Sequence, residues 1–332
     1  MKVLITGGAG FLGTLLARAL LARRQLAGQS IHELALADLA PPAPDLLADA
    51  RVRALTGALM NQCPGLSRDR FDAVFHLAAA VSAECEANFD LGMQSNLDTT
   101  RALLDAVRAA DNTPRVIFAS SIAVFGADPG LPMPAVIRAD TLPTPQSSYG
   151  IQKYICEQLI ADYTRKSFID GRNVRLMTVV VRPGRPNGAA SSFLSGIVRE
   201  PLNGEQAVCP VPPEMTVALA SPARTIEALI AVAEASREAL GGRIALNLPG
   251  LTVSVGEMLD ALEAVAGTKT RGRVRFQPDA AIARIVGGWP AAFDNSRALR
   301  LGLKPDPDFL SIVRAFVDDR AAETENSAIS RP

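Results

Sequence analysis

The sequence predicts an α/β fold, in which a doubly wound parallel sheet carries a smaller C-terminal lobe. The first observation behind this prediction is a short apolar run that ends in a Gly-x-x-Gly-x-x-Gly turn, and the second is an amphipathic helical pattern directly after the turn. The third is an alternation of apolar runs with helical segments. The runs that we interpret as strands lie at residues 2–6, 33–38, 71–77, 116–120 and 175–181. Sheets of the Rossmann type are built in this way.

The glycine turn predicts a dinucleotide-binding site. Gly7 permits the tight turn, Gly10 lets the backbone approach a pyrophosphate, and Gly13 lets the next helix pack closely on the strand. Phe11 and Leu12 open that helix, whose N-terminus attracts negative charge. A strand before the turn and a helix after it are the context that such a site requires.

An acidic residue after the second apolar run indicates which dinucleotide is bound. Asp38 closes that run, where a carboxylate can accept hydrogen bonds from the adenosine ribose and would repel the 2′-phosphate of NADP. We therefore expect NAD as the cofactor. Glu33 has the better spacing from the glycines but opens the run, and a solvated loop acid is the other interpretation of Asp38.

A Tyr-x-x-x-Lys pair, Tyr149 and Lys153, predicts acid/base chemistry. Residues four apart share one face of a helix, so the Lys153 ammonium can favour the ionised phenol. Tyr149 could then exchange a proton with a substrate hydroxyl near neutral pH. Upstream, an apolar strand ends in Ser120 and Ser121, and either hydroxyl could act on the substrate or satisfy backbone groups at the strand end.

Further motifs follow in a fixed order along the chain. The strand end Phe75-His76-Leu77-Ala78-Ala79 precedes Asn96, a Ser-Ser-x-x-Val-Phe-Gly run begins at Ser120, and the Tyr-x-x-x-Lys pair comes last. With the glycine turn and Asp38, this set resembles the extended short-chain dehydrogenase/reductases, a family that also holds NAD-dependent sugar-nucleotide epimerases and dehydratases. The resemblance extends to about Arg185.

The resemblance implies a catalytic triad. Ser121 would orient the substrate oxygen, Tyr149 would be the acid/base, and Lys153 would hold the nicotinamide ribose and depress the pKa of Tyr149. Similar proteins place an acid at the position of Ala58, so here we expect backbone groups to frame the adenine. The NAD contacts that the resemblance implies are Gly7, Gly10, Phe11, Leu12, Gly13, Asp38, Gly57, Leu77, Ala78, Ala79, Asn96, Tyr149, Lys153 and Pro183.

No metal site is predicted. His76 lies inside an apolar strand, the other histidine is His32, and the four cysteines lie far apart without the spacing of metal ligands. We expect His76 to be a hydrogen-bonded core residue beside the cofactor. We also expect the cysteines to be reduced thiols.

Composition sets the outer bounds on function. The chain has 332 residues, 48% of them hydrophobic, and its 34 basic residues balance its 34 acidic ones. Zero net charge gives no general attraction to nucleic acid or to an anionic membrane. No run approaches the ~18 apolar residues of a membrane-spanning helix. We therefore expect a soluble, cytoplasmic protein without nucleic-acid or membrane partners.

The chain is expected to form two lobes and a tail. Residues 1–183 would form the NAD-binding domain, with 214–247 returning to it. The substrate-binding lobe would comprise 184–213 and 248–320, with a helix at 252–267, and residues 321–332 would be a flexible tail. By resemblance, we expect a homodimer through helices around residues 96–110 and 149–166.

Substrate residues are predicted next to the triad. The loop after the third predicted strand offers Ser82, and the loop from Arg182 to Phe193 offers hydroxyls and cations for a carboxylate. The residues expected to bind substrate are Ser82, Ser121, Tyr149, Arg185 and Ser192, with Arg224 as the second candidate for the carboxylate anchor.

The segments around His76 to Ser82 and Val181 to Phe193 resemble most the branch of the family that oxidises D-erythronate, a four-carbon sugar acid, at C2. That resemblance implies formation of a 2-keto acid in carbohydrate-acid breakdown. The alternatives are an NDP-sugar epimerase or dehydratase, a dehydrogenase of another small acid such as L-threonine or a uronate, and a protein that senses redox state through NAD. The triad argues against the sensor, which needs no proton donor.

Overall fold

The computed structural model describes residues 1–184 and 189–329, with side chains as far as residue 321. The strands are β1 (Lys2–Thr6), β2 (Gln25–Leu26), β3 (Gln29–Ser30), β4 (Glu33–Asp38), β5 (Val52–Thr56), β6 (Ala73–His76), β7 (Arg115–Ser121), β8 (Asp170–Leu176), β9 (Thr178–Val179), β10 (Ala207–Cys209), β11 (Thr216–Ala220), β12 (Leu246–Asn247), β13 (Leu251–Ser254) and β14 (Val274–Phe276). The helices are α1 (Phe11–Arg23), α2 (Pro44–Leu47), α3 (Leu59–Leu66), α4 (Ser82–Ala87), α5 (Phe89–Gly92), α6 (Thr99–Ala109), α7 (Ser148–Arg165), α8 (Ser192–Leu202), α9 (Pro222–Glu234), α10 (Arg237–Leu240), α11 (Val255–Ala266), α12 (Thr268–Arg271), α13 (Ala280–Gly287), α14 (Ser296–Arg300) and α15 (Phe309–Ile329). A π-helical turn, Met93–Asp98, joins α5 to α6.

The main sheet has seven strands in the order β12-β8-β7-β6-β1-β4-β5, and each neighbouring pair is parallel. The α/β doubly wound fold predicted from the sequence is therefore confirmed. The chain passes from β1 outward to β4 and β5, then returns to β6 on the other side of β1. Ligands of such sheets bind where the strand order reverses, which here is beyond the carboxyl ends of β1 and β6, at Thr6 and His76.

Apolar packing explains the two layers of helices on this sheet. β1 and β4 are buried along almost their whole length, as parallel strands covered on both faces require. On one face, Leu16 and Leu20 of α1 pack with Leu229 of α9. On the other face, Leu103 of α6 and Ile160 of α7 close the core. Close packing on both sides fixes the strand ends relative to one another.

One predicted strand lies elsewhere. The sequence predicted a strand at residues 175–181, whereas β8 spans Asp170–Leu176, and β9 belongs to a separate sheet with β11 and β13. The apolar pattern did not predict a strand at Asp170–Leu176, because β8 carries buried polar side chains among its apolar ones. Arg172 donates to backbone carbonyls at the end of α9, and Arg175 pairs with Glu157 at 2.7 Å. These buried cations are tolerated because each one has partners.

The smaller lobe has an apolar core of its own. Val198 of α8, Leu219 of β11, Met258 of α11 and Val313 of α15 are buried together in it. These elements come from both sides of α9 in the sequence, so the lobe is assembled from two separate stretches of chain.

The helix predicted at residues 252–267 begins later, as α11. Residues up to Ser254 extend β13 instead, which pairs with β11. Ser254 then caps the helix, because its hydroxyl accepts from the Glu257 N–H at 3.1 Å and the Glu257 carboxylate accepts from the Ser254 N–H at 2.7 Å.

Residues 214–247 are shared between the two lobes. α9 packs on the main sheet and β12 joins its edge beside β8, whereas β11 lies in the three-stranded sheet with β9 and β13. Residues 248–320 are also divided, because Ala298 of α14 and Leu303 pack in the core that α1 and α9 share. The domain boundaries given by the sequence stay a prediction.

The C-terminal segment is helical where the sequence predicted a tail. α15 continues through residues 321–329, and residues 330–332 lie outside the described residues. Alanine and glutamate, which are good helix formers, recur in this segment. None of the described helices combines the length and the apolar character that crossing a membrane takes. The four cysteines are buried free thiols.

Candidate active site

The glycine turn lies at the carboxyl end of β1, against the end of β6. Gly7 has φ +72°, which side chains rarely adopt, and a Cβ there would lie 2.9 Å from the Ala78 nitrogen. A Cβ on Gly13 would lie 2.0 Å from the Gly7 carbonyl oxygen, and one on Gly10 would lie 3.2 Å from it. Among the described residues, no side chain caps α1 and no acid lies in its first turn, so N–H groups from Phe11 onward can face an anion. This cradle fits the pyrophosphate of a dinucleotide.

Asp38 ends β4 next to the glycine turn. Its carboxylate accepts from the Ala9 N–H at 3.0 Å and from the Ala40 N–H at 3.3 Å. Glu33 lies at the opposite end of β4, where it pairs with Arg53 at 2.8 Å. The structure therefore places Asp38, and not Glu33, at the edge of the sheet where a carboxylate can meet a ribose.

The loop after β5 continues this edge of the sheet. Gly57 has φ +126°, and its N–H donates to the Asp38 carbonyl at 2.8 Å. Ala58 precedes α3 and brings no polar side-chain atom to the loop. Gln62, a residue that sequence reasoning missed, donates from Nε2 to the Gly57 carbonyl at 2.9 Å and to the Leu55 carbonyl at 3.0 Å. Gln62 thus stabilises the loop through its backbone carbonyls.

His76 ends β6 and is a core residue, as predicted. Its Nδ1 lies 2.6 Å from the Thr6 hydroxyl and its Nε2 lies 2.8 Å from the Thr100 hydroxyl. Burial lowers the pKa of His76 to about 3, so the imidazole is neutral. The chain then turns at Leu77 and Ala78, whose N–H groups donate to the Thr6 carbonyl at 3.1 Å and to its hydroxyl at 3.3 Å.

Asn96 lies on the π-helical turn and is buried. Its Oδ1 accepts from the Ala80 N–H at 2.8 Å, and its Nδ2 donates to the Ala80 carbonyl at 3.2 Å and to Gln152 Oε1 at 2.9 Å. Asn96 therefore ties the loop that follows Ala79 to helix α7. In the part of the chain that the structure describes, no group of side chains could hold a metal ion.

β7 and α7 bring the three predicted catalytic residues together. Ser121 ends β7, and its hydroxyl accepts from the Ala123 N–H at 3.1 Å and lowers the pKa of Tyr149. Tyr149 lies in the first turn of α7. Lys153 follows one turn later, with Nζ 5.7 Å from the centroid of the Tyr149 ring. Lys153 is buried and donates to the Ala119 carbonyl at 2.8 Å.

The two candidate serines have different partners. Ser120 is buried and its hydroxyl donates to Glu157 Oε1 at 2.5 Å. Glu157 in turn accepts two hydrogen bonds from the Arg175 guanidinium, at 2.9 and 2.7 Å. Ser120 thus belongs to a buried polar network, whereas Ser121 is the serine beside Tyr149.

Burial has the largest effect on the pKa values of Tyr149 and Lys153. Burial raises the pKa of Tyr149 to about 12, while the Ser121 hydroxyl and the charge of Arg182 act to lower it. Burial also lowers the pKa of Lys153 to about 8. The Lys153 ammonium donates to a backbone carbonyl. That Lys153 depresses the pKa of Tyr149 stays a prediction.

A cleft among α4, α8, β10 and α13 has one of the predicted substrate residues, Ser192, in its described lining. Ser82 is buried, and its hydroxyl accepts from the Ala190 N–H at 3.2 Å. Ser192 begins α8 and lines the cleft, whose volume is about 580 Å³. The other described lining residues are mostly apolar: Ala83, Ala189, Ala190, Phe193, Gly196, Glu200, Gln206, Ala207, Val208, Ala281, Ile282 and Ile285.

The structure describes only one of the two arginines predicted to anchor a carboxylate, Arg224. Arg185 lies outside the described residues. Arg224 is on the surface of α9, where it pairs with Glu227 at 2.7 Å. Arg182, which the sequence marked only as the start of a loop, acts electrostatically on Tyr149. The signal that could have identified Arg182 is its position directly after the last predicted strand, at the ligand-binding edge of the sheet.

Comparison with known proteins agrees with this geometry. The model of the NAD dependent epimerase/dehydratase family matches residues 3–217. The D-erythronate dehydrogenase of Cupriavidus necator is 50% identical over 327 residues, which cover 96% of this chain and 98% of that protein. The D-erythronate dehydrogenase of Haemophilus influenzae is 43% identical over 321 residues, which cover 96% of this chain and 99% of that protein.

Solved structures show the same fold. A nucleoside-diphosphate-sugar epimerase from Agrobacterium tumefaciens is 41% identical, with a TM-score of 0.89, over 97% of this chain and 95% of that one. L-threonine 3-dehydrogenase from Trypanosoma brucei is 25% identical, with a TM-score of 0.82, over 96% of each chain. The family match and the near full-length relatives show that this chain belongs to the NAD dependent epimerase/dehydratase family.

Proposed function

We propose that the protein is an NAD-dependent dehydrogenase that oxidises the C2 hydroxyl of D-erythronate to give 2-keto-D-erythronate, in the breakdown of carbohydrate acids. The observation that carries this proposal is the identity of 50% and 43% to two D-erythronate dehydrogenases along nearly the whole chain. The site supports it, because Ser121, Tyr149 and Lys153 meet at the carboxyl edge of the sheet, beside the glycine turn.

The chain's own residues supply binding and proton transfer. Bound NAD supplies the acceptor for the hydride. Tyr149, as the phenolate, takes the proton of the C2 hydroxyl, and Ser121 stabilises the negative charge that develops on the substrate oxygen. Lys153 holds its ammonium near the tyrosine ring and contributes to the nicotinamide ribose site. The charge of Arg182 opposes the effect of burial on Tyr149 and so favours the phenolate.

The residues that would hold NAD follow the strand ends in order. The glycine cradle suits the pyrophosphate and Asp38 suits the adenosine ribose. The edge opposite the glycines is formed by Leu77, Ala78 and Ala79. Asn96 stabilises the loop that follows them through its hydrogen bond with the Ala80 N–H. The proposed set is Gly7, Gly10, Phe11, Leu12, Gly13, Asp38, Gly57, Leu77, Ala78, Ala79, Asn96, Tyr149, Lys153 and Pro183.

The test is formation of NADH by the purified protein with D-erythronate, L-erythronate, L-threonine or glucuronate. We expect NADH with D-erythronate, and we expect Tyr149→Phe to lose most of this activity while it binds NAD as the wild type does. NADH with one of the other acids alone would transfer the proposal to that substrate. Tightly retained NAD without net reduction would favour an NDP-sugar epimerase. The Agrobacterium tumefaciens structure carries the name of such an epimerase.

We also propose a homodimer in the cytoplasm. Ile151 and Ile155, one turn apart on α7, are 46% and 37% exposed, and Phe89 on the nearby α5 is 61% exposed. Exposed apolar groups that cluster in this way mark contact surfaces. Sedimentation should show a dimer for the wild type and a monomer for Ile151→Glu, and a monomeric wild type would refute the dimer. Four buried free thiols support a reducing compartment.

A further inference from the structure

Arg182 is held more firmly than a loop residue usually is. Its N–H donates to Ser195 Oγ at 3.0 Å, and its carbonyl accepts from Arg199 Nη1 at 2.7 Å. Ser195 and Arg199 lie one turn apart on α8, and both are buried. The Arg182 Nε donates to the Val179 carbonyl at 3.2 Å. The backbone and the stem of the guanidinium are thus fixed on three sides.

The charge of Arg182 acts on the reaction centre. Its charge lowers the pKa of Tyr149, and burial lowers its own pKa. Within residues 1–184 and 189–329, its two terminal nitrogens have no hydrogen-bond acceptor. A partly buried cation without a counter-ion costs free energy, and a guanidinium matches a carboxylate with two parallel hydrogen bonds. Arg182 is therefore suited to an anionic group of the ligand.

The chemistry of a 2-hydroxy acid places its carboxylate at this position. C1 is bonded directly to C2, so an anchor for the carboxylate must lie beside the group that takes the proton from the C2 hydroxyl. Arg182 is near enough to Tyr149 for their charges to interact, whereas Arg224 is paired with Glu227 on the surface of α9. Lysine would be a poorer anchor here, because an ammonium cannot form the planar fork.

We propose that Arg182 binds the C1 carboxylate of the substrate and makes the site selective for 2-hydroxy acids over neutral alcohols. This inference rests on the proposed function and names the residue that sets its substrate class. Ser195 and Arg199 are positioning residues, because they fix the backbone of Arg182.

The experiment compares wild type with Arg182→Lys and Arg182→Met in NADH formation from D-erythronate and from erythritol, a four-carbon polyol without a carboxylate. We expect Arg182→Met to raise the KM for D-erythronate about 10- to 100-fold, as loss of a charged hydrogen bond implies. The smaller activity with erythritol should change little, so the preference for the acid should fall. Added guanidinium ion should restore part of the lost activity.

Arg271→Met is the matched control, because this arginine is in an exposed ion pair with Asp260 and Glu263 on the smaller lobe. It should keep the KM of the wild type. The NAD affinity and thermal unfolding of each variant report on folding, and Arg182→Lys, which retains the charge, serves if Arg182→Met does not fold. Lysine should still raise KM, although less.

Three results would overturn the inference in different ways. If the wild type oxidises D-erythronate and both Arg182 variants keep its KM, the carboxylate is bound elsewhere and the proposed function stands. A fall in kcat at constant KM, with the pH profile displaced upward, would assign Arg182 to the ionisation of Tyr149 alone. If the wild type forms no NADH from D-erythronate, the proposed function fails and this inference fails with it.

Discussion

Gly13→Ala tests whether the close approach of α1 to the glycine turn creates the NAD site. The added Cβ would lie 2.0 Å from the Gly7 carbonyl oxygen and 2.8 Å from its carbonyl carbon, both backbone atoms. Cβ contacts below 3.0 Å are essentially never seen, so the first turn of α1 must move by about 1 Å. Overpacking of this kind costs about 1–3 kcal/mol. Alanine in an unobstructed helical position would instead gain roughly 0.5–1 kcal/mol.

Urea unfolding and NAD titration measure the two consequences. We expect Gly13→Ala to be less stable by about 1–3 kcal/mol and to bind NAD at least about tenfold more weakly, since about 1.4 kcal/mol is a factor of ten in affinity. The control is Gly65→Ala in α3, where no described atom lies within 4 Å of the new Cβ. It should be as stable as the wild type or more so, with unchanged affinity. A Gly13→Ala protein with wild-type stability and NAD affinity would refute the reasoning.

Buried and titrating groups give three more expectations. Glu157→Gln leaves the Arg175 guanidinium buried without an opposite charge, so urea unfolding should show a loss of stability of about 3–5 kcal/mol. A loss of stability under about 1 kcal/mol would show that water solvates the charge. His76 has a folded pKa of about 3 against 6.5 for the free side chain, so only the unfolded chain takes up its proton as the pH falls below 6.5. The free energy of unfolding should therefore fall by about 2 kcal/mol between pH 6.5 and about 5. Unfolding of His76→Gln, measured at both pH values, should not show this fall. The same fall in the variant as in the wild type would contradict the assignment. The rate of NADH formation should rise from about pH 7 to about 9, because the phenolate is the base and the Tyr149 pKa lies above this range. A rate that does not change with pH would mean that another group takes the substrate proton.

The sequence predicted the parts of the site that depend on local geometry. Gly7 is required by its positive φ and Gly13 by its contact with the Gly7 carbonyl, both local to the turn, so their spacing alone identifies the cradle. Tyr149 and Lys153 share a helix face by their separation of four residues, and strand ends in a parallel sheet meet at one edge. These regularities predicted the doubly wound sheet and placed the triad residues close together.

The misplaced elements depend on contacts between distant residues. β8 was placed too late because Arg172 and Arg175 look like surface residues until their partners on α9 and α7 are known. The hydrogen bond of the Lys153 ammonium could not be predicted from the sequence, because its acceptor is the Ala119 carbonyl of β7. The sequence did not indicate Arg182 as a candidate anchor, because only the folded sheet brings its charge within reach of Tyr149.

Hydride transfer from C2 of D-erythronate to NAD can be followed directly with deuterium. D-erythronate deuterated at C2 is incubated with the enzyme and NAD, and the reduced cofactor and the acid product are analysed by mass spectrometry. We expect one deuterium in each molecule of NADH formed and none at C2 of the 2-keto acid. Deuterium returned to the sugar-acid carbon chain, without net formation of reduced cofactor, would contradict a dehydrogenase and indicate epimerase chemistry.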